Sequence, residues 1–218
     1  MRDWQKWWDQ QSSPRHVKND DDFFHKHAME IKSVTGRWDG LEILEFGCGN
    51  GALLSDIGIC KVKRYVGVDF SSELITQMRT RFPDLEIHHS AVSEYRDQRK
   101  YNMIYSNALL QYLNKQETIQ LLNQSKGMLK QNGIIIMCSV YWYRRFFESL
   151  ADGLKHKYKI NLVRGIYRFL KLKGKSNSEY WHTIHTFRSW AEENNFILEL
   201  YFSIHYLPRI HIILRPKD

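Results

Sequence analysis

The stretch Ile43–Leu54 reads ILEFGCGNGALL and joins a short apolar run to a turn with three glycines and then to a second apolar segment. Gly47, Gly49 and Gly51 allow the backbone to turn tightly and to approach a ligand with no Cβ in the way. The stretch therefore predicts a buried strand, a ligand-binding turn and a helix over about residues 52–59.

Glu45, at the end of the predicted strand, restricts the kind of ligand. The spacing of Gly47, Gly49 and Ala52 also satisfies the dinucleotide fingerprint, in which a pyrophosphate sits on a helix N-terminus. A diphosphate would meet the like charge of Glu45, and two charges ~4 Å apart in a poorly screened cleft interact by several kcal/mol. The carboxylate would instead attract a cation, so it favours a positively charged ligand.

The turn from Glu45 to Gly51 resembles the first motif of the class I methyltransferases that depend on S-adenosylmethionine (SAM), which is an acidic residue, any residue, then Gly-x-Gly-x-Gly. SAM carries an ammonium and a sulfonium, and the resemblance implies SAM as cofactor and S-adenosylhomocysteine (SAH) as product. The alternative is a structural glycine turn with Glu45 merely solvated. The cofactor contacts that the resemblance implies in this stretch are Glu45, Phe46, Gly47, Cys48, Gly49 and Gly51.

A second motif follows in Tyr65–Asp69, an apolar strand that ends in an acid twenty residues after Gly49. In both the dinucleotide and the SAM interpretation, an acid at this distance accepts hydrogen bonds from ribose hydroxyls. Phe70 follows Asp69 and joins the predicted cofactor contacts. Two motifs therefore agree on a ligand that contains adenosine.

The third strand, predicted over residues 85–89, leads into Ser90 and Ala91. The family often carries at this point an Asp that accepts a hydrogen bond from the adenine amino group. Ser90 departs from that pattern, but its hydroxyl or the Ala91 amide can still contact adenine. Both residues are therefore predicted cofactor contacts.

A fourth strand, predicted over residues 101–105, leads into the sequence SNALLQYL at residues 106–113. This order resembles the fourth motif of the family, which lies across the cofactor from the first and near the methyl acceptor. Asn107 is a predicted cofactor contact, and Asn107 and Tyr112 are candidates on the substrate side. The alternative for Tyr112 is a packed side chain with a satisfied hydroxyl. A helix over residues 121–129 and a strand over 134–138 are predicted next, with Gly133 as the helix stop.

The resemblance covers about residues 41–140 and 183–215. It implies an α/β fold, a Rossmann-like, doubly wound, seven-stranded and mostly parallel sheet with an antiparallel last strand. We expect a single domain with a helical N-terminal cap (residues 1–40), a SAM-binding core (41–140), a basic helical insert after the fifth strand (141–182) and a C-terminal helix and strand pair (183–218).

The N-terminal cap is predicted from helical spacing of aromatic residues. Trp4, Trp7 and Trp8 recur at i, i+3 and i+4, which makes one apolar face. This face either packs on the edge of the domain or brings Trp7 or Trp8 over the ligand. A second helix should follow Asp20–Asp22, with these residues on its buried side: Phe23, Phe24, His27, Ala28 and Ile31.

The insert holds the whole excess of positive charge. Residues 141–175 contain ten Lys or Arg and two acids, a net charge of +8, which equals the net charge of the chain. The segment is either a lid with a solvated basic face, a cradle for an anionic substrate, or a contact with a membrane surface.

Methyl transfer from a sulfonium is an in-line displacement that depends mainly on alignment, with a general base needed only for acceptors that carry a proton. His182 and His185, at the join between insert and helix, are the first candidates for this base, with Tyr112 beside them as a catalytic candidate and His205 behind. A structural role is the alternative for each histidine. No metal site is predicted, because His25-x-His27 and His182-x-x-His185 lack nearby Cys or paired acids.

Three cysteines without Cys-x-x-Cys spacing predict neither disulfides nor a zinc site and favour a reducing cytoplasm. The longest apolar run, at residues 134–140, is far shorter than the ~20 residues of a spanning helix. The N-terminus also lacks the apolar core of a signal peptide.

The acceptor is predicted to be an oxygen or nitrogen of a small or carrier-linked metabolite. Ser106–Leu109 replaces the Asn/Asp-Pro-Pro-aromatic motif of adenine N-methyltransferases, which disfavours that substrate. The alternatives are an RNA methyltransferase that docks through the basic insert and a SAM-binding module without turnover. The sequence makes no prediction of the oligomeric state.

Overall fold

The computed structural model of the protein describes residues 21–141, 180, 182–204 and 209–217. Its seven strands are β1 (Glu42–Phe46), β2 (Arg64–Asp69), β3 (Glu86–His89), β4 (Tyr101–Asn107), β5 (Leu129–Tyr141), β6 (Phe196–Phe202) and β7 (Arg209–Pro216). They form one sheet in the order β3-β2-β1-β4-β5-β7-β6. Strands β1 to β5 are parallel, and β7 lies antiparallel between β5 and β6. The predicted sheet with an antiparallel last strand is confirmed.

Within the described residues, the helices are α1 (Asp21–Thr35), α2 (Leu54–Ile57), α3 (Ser72–Arg81), α4 (Lys115–Gly127) and α5 (Ile184–Glu193), with 3-10 turns at Ile59–Lys61 and Leu110–Tyr112. One apolar cluster packs α4 and α5 against the sheet through side chains such as Leu121 and Trp190. A second cluster packs α1, α2 and α3 on the opposite face, through Ala28, Ile57 and Met78. The fold is therefore the three-layered, doubly wound α/β arrangement that the sequence predicts.

Local sequence explains where two of the helices begin. The Ser71 hydroxyl accepts a hydrogen bond from the Leu74 amide at 3.4 Å and caps α3. Asn114 caps α4, and its side chain accepts from the Glu117 amide at 3.0 Å while the Glu117 carboxylate accepts from the Asn114 amide at 2.6 Å. Such caps stabilise a helix by ~1 kcal/mol.

The helix after the glycine turn is shorter than the predicted span of residues 52–59. It covers only Leu54–Ile57, because Gly58 adopts a left-handed backbone conformation with φ of 89° and closes the helix with its amide. The chain then continues as the 3-10 turn Ile59–Lys61.

The prediction that Gly133 ends a helix was wrong. Helix α4 already ends at Gly127, and β5 begins at Leu129, so Gly133 lies inside the strand. The pairing of β4 with β5 shifts at this point, from Tyr101 opposite Leu129 to Met103 opposite Ile134. A Cβ on Gly133 would lie 2.9 Å from the Tyr101 carbonyl oxygen, so the glycine is required by a close approach of two strands.

Helix α1 confirms the second predicted N-terminal helix, and His27, Ala28 and Ile31 are buried on it as expected. The predictions for Trp4, Trp7 and Trp8, for the basic insert between residues 142 and 179, and for His205 lie outside the described residues. Across the part of the chain that is described, no helix is long and apolar enough to cross a membrane.

The close approach at Gly133 predicts the effect of adding a methyl group there. Gly133→Ala should lower the free energy of unfolding by ~1 to 3 kcal/mol, because the strand carrying the Tyr101 carbonyl would have to move. Urea unfolding followed by circular dichroism measures the change.

Gly127→Ala is the matched control, because nothing lies within 4 Å of a Cβ at the end of α4. Removing a helical glycine there should raise the stability by ~0.5 to 1 kcal/mol. Equal changes for the two variants would contradict the packing role assigned to Gly133.

Candidate active site

The glycine turn after β1 adopts the backbone conformation that its sequence predicts. Gly47, Gly49 and Gly51 have φ of 72°, 53° and 69°, in the left-handed region that side chains disfavour. The Gly47 amide donates to the Val68 carbonyl at 2.8 Å, and the Gly51 amide donates to the Cys48 carbonyl at 3.1 Å. The turn is therefore held against the end of β2.

The surroundings of the three glycines differ. A Cβ on Gly47 would lie 3.0 Å from Leu109 Cδ1, and one on Gly51 would lie 2.9 Å from Phe82 Cε2. At Gly49 the nearest atom would be Leu74 Cδ1 at 3.9 Å. Gly47 and Gly51 thus permit close packing, whereas the backbone at Gly49 is uncrowded, as the approach of a ligand to this turn would require.

Glu45 is buried in the sheet beside this turn, with 6% of its surface exposed. Its Oε2 accepts a hydrogen bond from the Tyr65 hydroxyl at 2.5 Å. Burial raises the pKa of Glu45 to about 8, the hydrogen bond from Tyr65 opposes the shift, and the charge of Asp69 adds to it. The alternative that Glu45 is merely solvated is wrong, and a cation bound nearby would favour its ionised form.

Asp69 ends β2 and is also buried. Its Oδ2 accepts from the Gly49 amide at 2.9 Å, and its Oδ1 accepts from the Ser71 amide at 2.9 Å. Burial raises the pKa of Asp69, and the hydrogen bonds from the backbone amides oppose this. Each carboxylate oxygen can accept a further hydrogen bond, so the predicted contact with ribose hydroxyls remains open to Asp69 while it holds the turn.

A mostly apolar cavity of about 140 Å³ lies at the carboxyl ends of β2, β3 and β4. Side chains that line it include Phe70, Ala91, Val92, Leu109, Tyr112 and Leu121. Its position beside Asp69 fits the flat, apolar faces of an adenine ring. The nearby Ser90 donates its amide to the Asp69 carbonyl at 2.9 Å and its hydroxyl to the Ala91 carbonyl at 3.1 Å. The adenine contacts of Ser90 and Ala91 stay predictions.

The structure separates the two candidates of the fourth motif. Asn107 ends β4, and its Oδ1 accepts a hydrogen bond from His27 Nε2 at 3.2 Å. The Tyr112 hydroxyl accepts from Gln111 Nε2 at 2.8 Å, and its side chain lines the cavity together with Phe70. This arrangement agrees with the packed alternative for Tyr112, and its catalytic role stays a prediction.

The two candidate bases occupy different environments. His182 is buried, and its Nε2 donates to the Leu110 carbonyl at 2.7 Å. Burial lowers the pKa of His182, which fits a neutral structural imidazole. His185 is exposed on α5, with its Nδ1 accepting from the Ser189 hydroxyl at 2.9 Å. Neither contact involves the glycine turn, and a proton-accepting role for either histidine stays a prediction.

Sequence reasoning missed the polar partners of Asn107. His27 was assigned only to the buried side of α1, yet its imidazole reaches both Asn107 and Ser139 on the sheet. Glu30, one turn further along α1, contacts His211 on β7. In the sequence, the spacing of His27 and Glu30 on one buried helix face was the indication that these polar side chains contact the sheet. Within the described residues, no group of three or more His, Cys, Asp or Glu side chains could hold a metal ion.

The fold is a doubly wound α/β domain with two buried acids and a glycine turn at the carboxyl edge of its sheet. Residues 44–135 match the family model described as a methyltransferase domain. This match covers less than half of the chain, and together with the relatives described below it supports a class I SAM-dependent methyltransferase with SAM as cofactor.

Two curated relatives support this assignment. The chain is 28% identical over 63% of its length to the malonyl-[acyl-carrier protein] O-methyltransferase of Bacillus cereus, and the match covers 51% of that protein. It is 30% identical over 50% of its length to the trans-aconitate 2-methyltransferase of an Enterobacter species, of which 42% is covered. The chain thus spans about half the length of these relatives or less.

A solved structure extends the likeness of the fold to the whole chain. The N-methyltransferase NodS of Bradyrhizobium japonicum WM9, in complex with SAH, has a TM-score of 0.65 to this protein, and the match covers 98% of each chain. The two sequences are only 12% identical. The likeness therefore concerns the fold alone.

The raised pKa of Glu45 predicts that ligand binding releases a proton. Glu45 is mostly protonated at about pH 6.5 in the free protein, and a bound cation would ionise it. Titration calorimetry with SAH in buffers of different ionisation enthalpy should therefore show close to one proton released per SAH bound.

Glu45→Gln is the matched variant, because glutamine imitates the protonated carboxyl and can still accept from the Tyr65 hydroxyl. Its binding of SAH should release no proton through residue 45. The same proton release in both proteins would contradict the role of Glu45 as the partner of a cation.

The uncrowded backbone at Gly49 predicts that a methyl group added there lowers the affinity for SAH. Gly49→Ala should weaken SAH binding by about tenfold or more, which corresponds to ~1.4 kcal/mol. Gly40→Ala provides the control, because Gly40 also has a positive φ, of 71°, and its Cβ would meet nothing within 4 Å.

Both alanine variants should lose ~1 to 2 kcal/mol of stability from backbone strain alone. Calorimetry and thermal unfolding separate the two effects. Unchanged SAH affinity in Gly49→Ala would show that the ligand does not approach this turn.

Proposed function

We propose that this protein transfers a methyl group from SAM to an oxygen or nitrogen of a small or carrier-linked metabolite. The observation that carries the proposal is the buried pair of Glu45 and Asp69 at the ends of neighbouring strands, on either side of a glycine turn whose backbone is uncrowded at Gly49. An acid for the ammonium and an acid for the ribose match the two polar regions of SAM.

The class of acceptor is supported by the relatives. One is named for a malonyl group on an acyl-carrier protein, and the other for trans-aconitate. The malonyl group and trans-aconitate both carry carboxylates. We extend to this chain only the class, a small or carrier-linked metabolite, and propose that the basic segment at residues 141–175 attracts an anionic acceptor.

The chemistry needs little covalent help from the protein. SAM supplies an activated methyl group on its sulfonium. The residues of this chain would hold the two ends of the cofactor, through Glu45 on one side and Asp69 with the apolar cavity on the other, and exclude water from the reacting atoms. Alignment of this kind can contribute ~7 to 11 kcal/mol to lowering the barrier.

A proton acceptor is needed only where the acceptor carries a proton. A general base contributes a factor of ~10² to 10⁴ in rate, whereas a carboxylate is already a nucleophile at neutral pH. His182 and His185 remain the proposed bases for a hydroxyl or amine acceptor, and the burial of His182 favours a carboxylate acceptor for which neither is required. The unpaired thiols of Cys48, Cys60 and Cys138 favour the reducing cytoplasm as the place of the reaction.

Titration calorimetry with SAM, SAH and NAD tests the cofactor. SAM and SAH should bind and NAD should not, because NAD brings no ammonium group to pair with Glu45 and its diphosphate would oppose the ionisation of both buried acids. Asp69→Ala should weaken the binding of SAM and SAH about tenfold or more. Asp84→Ala, which removes an exposed acid, should leave both affinities unchanged. Binding of NAD without SAM would refute the proposal.

Transfer of a labelled methyl group to extract fractions tests the acceptor. Label in a metabolite or acyl-carrier fraction is the expected result. Label in RNA, with binding that weakens as salt rises, would replace the proposal with an RNA methyltransferase. SAM binding without label in any fraction would make the protein a binding module.

A further inference from the structure

A buried polar cluster joins α1 to the sheet near the carboxyl ends of β4 and β5. Its members are almost inaccessible to solvent, although charged and polar side chains are costly to bury. We call it the α1 cluster, and it consists of His27, Glu30, Ser139, Ser203 and His211.

Glu30 is the charged centre of the α1 cluster. Its Oε1 accepts from the Ile204 amide at 2.7 Å and from His211 Nε2 at 3.2 Å, and its Oε2 accepts from the Ser203 hydroxyl at 3.2 Å. Burial opposes ionisation, but the neighbouring His27 imidazole and the hydrogen bonds from the Ile204 amide and His211 lower the pKa of Glu30 to about 2. Glu30 is therefore an ionised, well-held carboxylate inside the protein.

His27 connects this carboxylate to Asn107. Its Nδ1 lies 3.9 Å from Glu30 Oε2, and its Nε2 lies 3.2 Å from Asn107 Oδ1 and 3.1 Å from Ser139 Oγ. An amide oxygen only accepts, so Nε2 is the donor to Asn107. With its oxygen engaged by His27, Asn107 has its NH2 group for a ligand, and that group only donates.

The backbone around Asn107 is held in a costly conformation. Ala108 and Ser139 have φ of 52° and 57°, and both follow the paired ends of β4 and β5, where Asn107 lies opposite Cys138. Left-handed residues other than glycine cost ~1 to 3 kcal/mol each and gather at functional sites. The conformation therefore points to a role for this edge beyond packing.

The strand order places Asn107 at one end of the candidate site. Asp69, the predicted ribose contact, ends β2, and Ala91, the predicted adenine contact, lies just after β3. Asn107 ends β4, which lies on the other side of β1 and its glycine turn. At ~4.8 Å per strand, β3 and β4 lie ~14 Å apart, so an extended ligand with adenine at β3 places its other end at β4.

Glu45 and Asn107 share a face of the sheet. Glu45 pairs with Tyr105, and Asn107 lies two residues further along β4, so both side chains project to the same side. The ammonium of an amino acid beside Glu45 would bring its carboxylate within the same region. A donor-only NH2 group at Asn107 complements a carboxylate.

We propose that His27 is a positioning residue that fixes the Asn107 amide, so that its NH2 group binds the carboxylate at the amino-acid end of SAM. Glu30 lies behind His27, with its Oε2 3.9 Å from His27 Nδ1, and is itself bound by His211. This inference rests on the proposed function, because it requires SAM at the glycine turn.

Calorimetry with SAH and with 5′-methylthioadenosine tests the inference, since the second ligand keeps the nucleoside and lacks the amino-acid end. Asn107→Asp retains an oxygen for His27 but has no NH2 group. This variant should bind SAH about tenfold or more weakly than the wild type, and its affinity for 5′-methylthioadenosine should stay within about twofold of the wild-type value.

His27→Phe should also weaken SAH selectively, because the amide would lose the donor that orients it, and His27→Gln should restore part of the affinity. In the double variant His27→Phe/Asn107→Asp the two losses should not add, since the residues act through one contact. His25→Gln, on the exposed side of the same helix, is the control and should bind both ligands normally. Thermal unfolding identifies any variant that fails to fold, and Asn107→Asp then decides.

Equal losses for SAH and 5′-methylthioadenosine, or no loss of SAH affinity in Asn107→Asp, would overturn the inference and leave the α1 cluster a structural contact. A wild-type protein that binds 5′-methylthioadenosine and SAH equally well would also overturn it, while SAM binding at the turn survives. A wild-type protein that binds neither ligand would refute the proposed function itself.

Discussion

Two carboxylates buried at the ends of adjacent parallel strands determine the electrostatics of the carboxyl edge of the sheet. Glu45 and Asp69 cannot both be ionised there without stabilisation, since burial disfavours charge and the two acids repel each other. The protein offsets this for Asp69 with the amides of Gly49 and Ser71, whereas for Glu45 the described residues supply the Tyr65 hydroxyl. The glycine turn thus owes its shape to Asp69, while Glu45 retains an electrostatic preference for a cation.

The sequence predicts the strands and the backbone of the glycine turn well because their determinants are local. The alternation of glycines after β1 and the acid that ends β2 lie within a few residues of the backbone that they shape. Gly133 shows the limit of this reasoning, since a glycine serves equally to end a helix and to let two strands approach. Only the Tyr101 carbonyl, which is remote in sequence, distinguishes the two uses.

The contacts of Asn107 and of the α1 cluster could not be predicted, because they join distant parts of the chain. His27 and Asn107 are 80 residues apart, and Glu30 and His211 are 181 apart. No spacing rule connects such pairs. His182 was chosen for its position between two segments, and only the structure reveals that its imidazole is buried against the Leu110 carbonyl.

The contact of Glu30 with Ile204 and His211 also bears on biosynthesis. A nascent chain exposes α1 long before β7 leaves the ribosome, at ~5 to 20 residues per second. During that interval Glu30 lacks the amide and imidazole donors that stabilise its charge, so water remains its better environment. The apolar side of α1 has its partners on β1 and the next two helices as soon as these are made, whereas the polar α1 cluster is completed only after β7 has been synthesised.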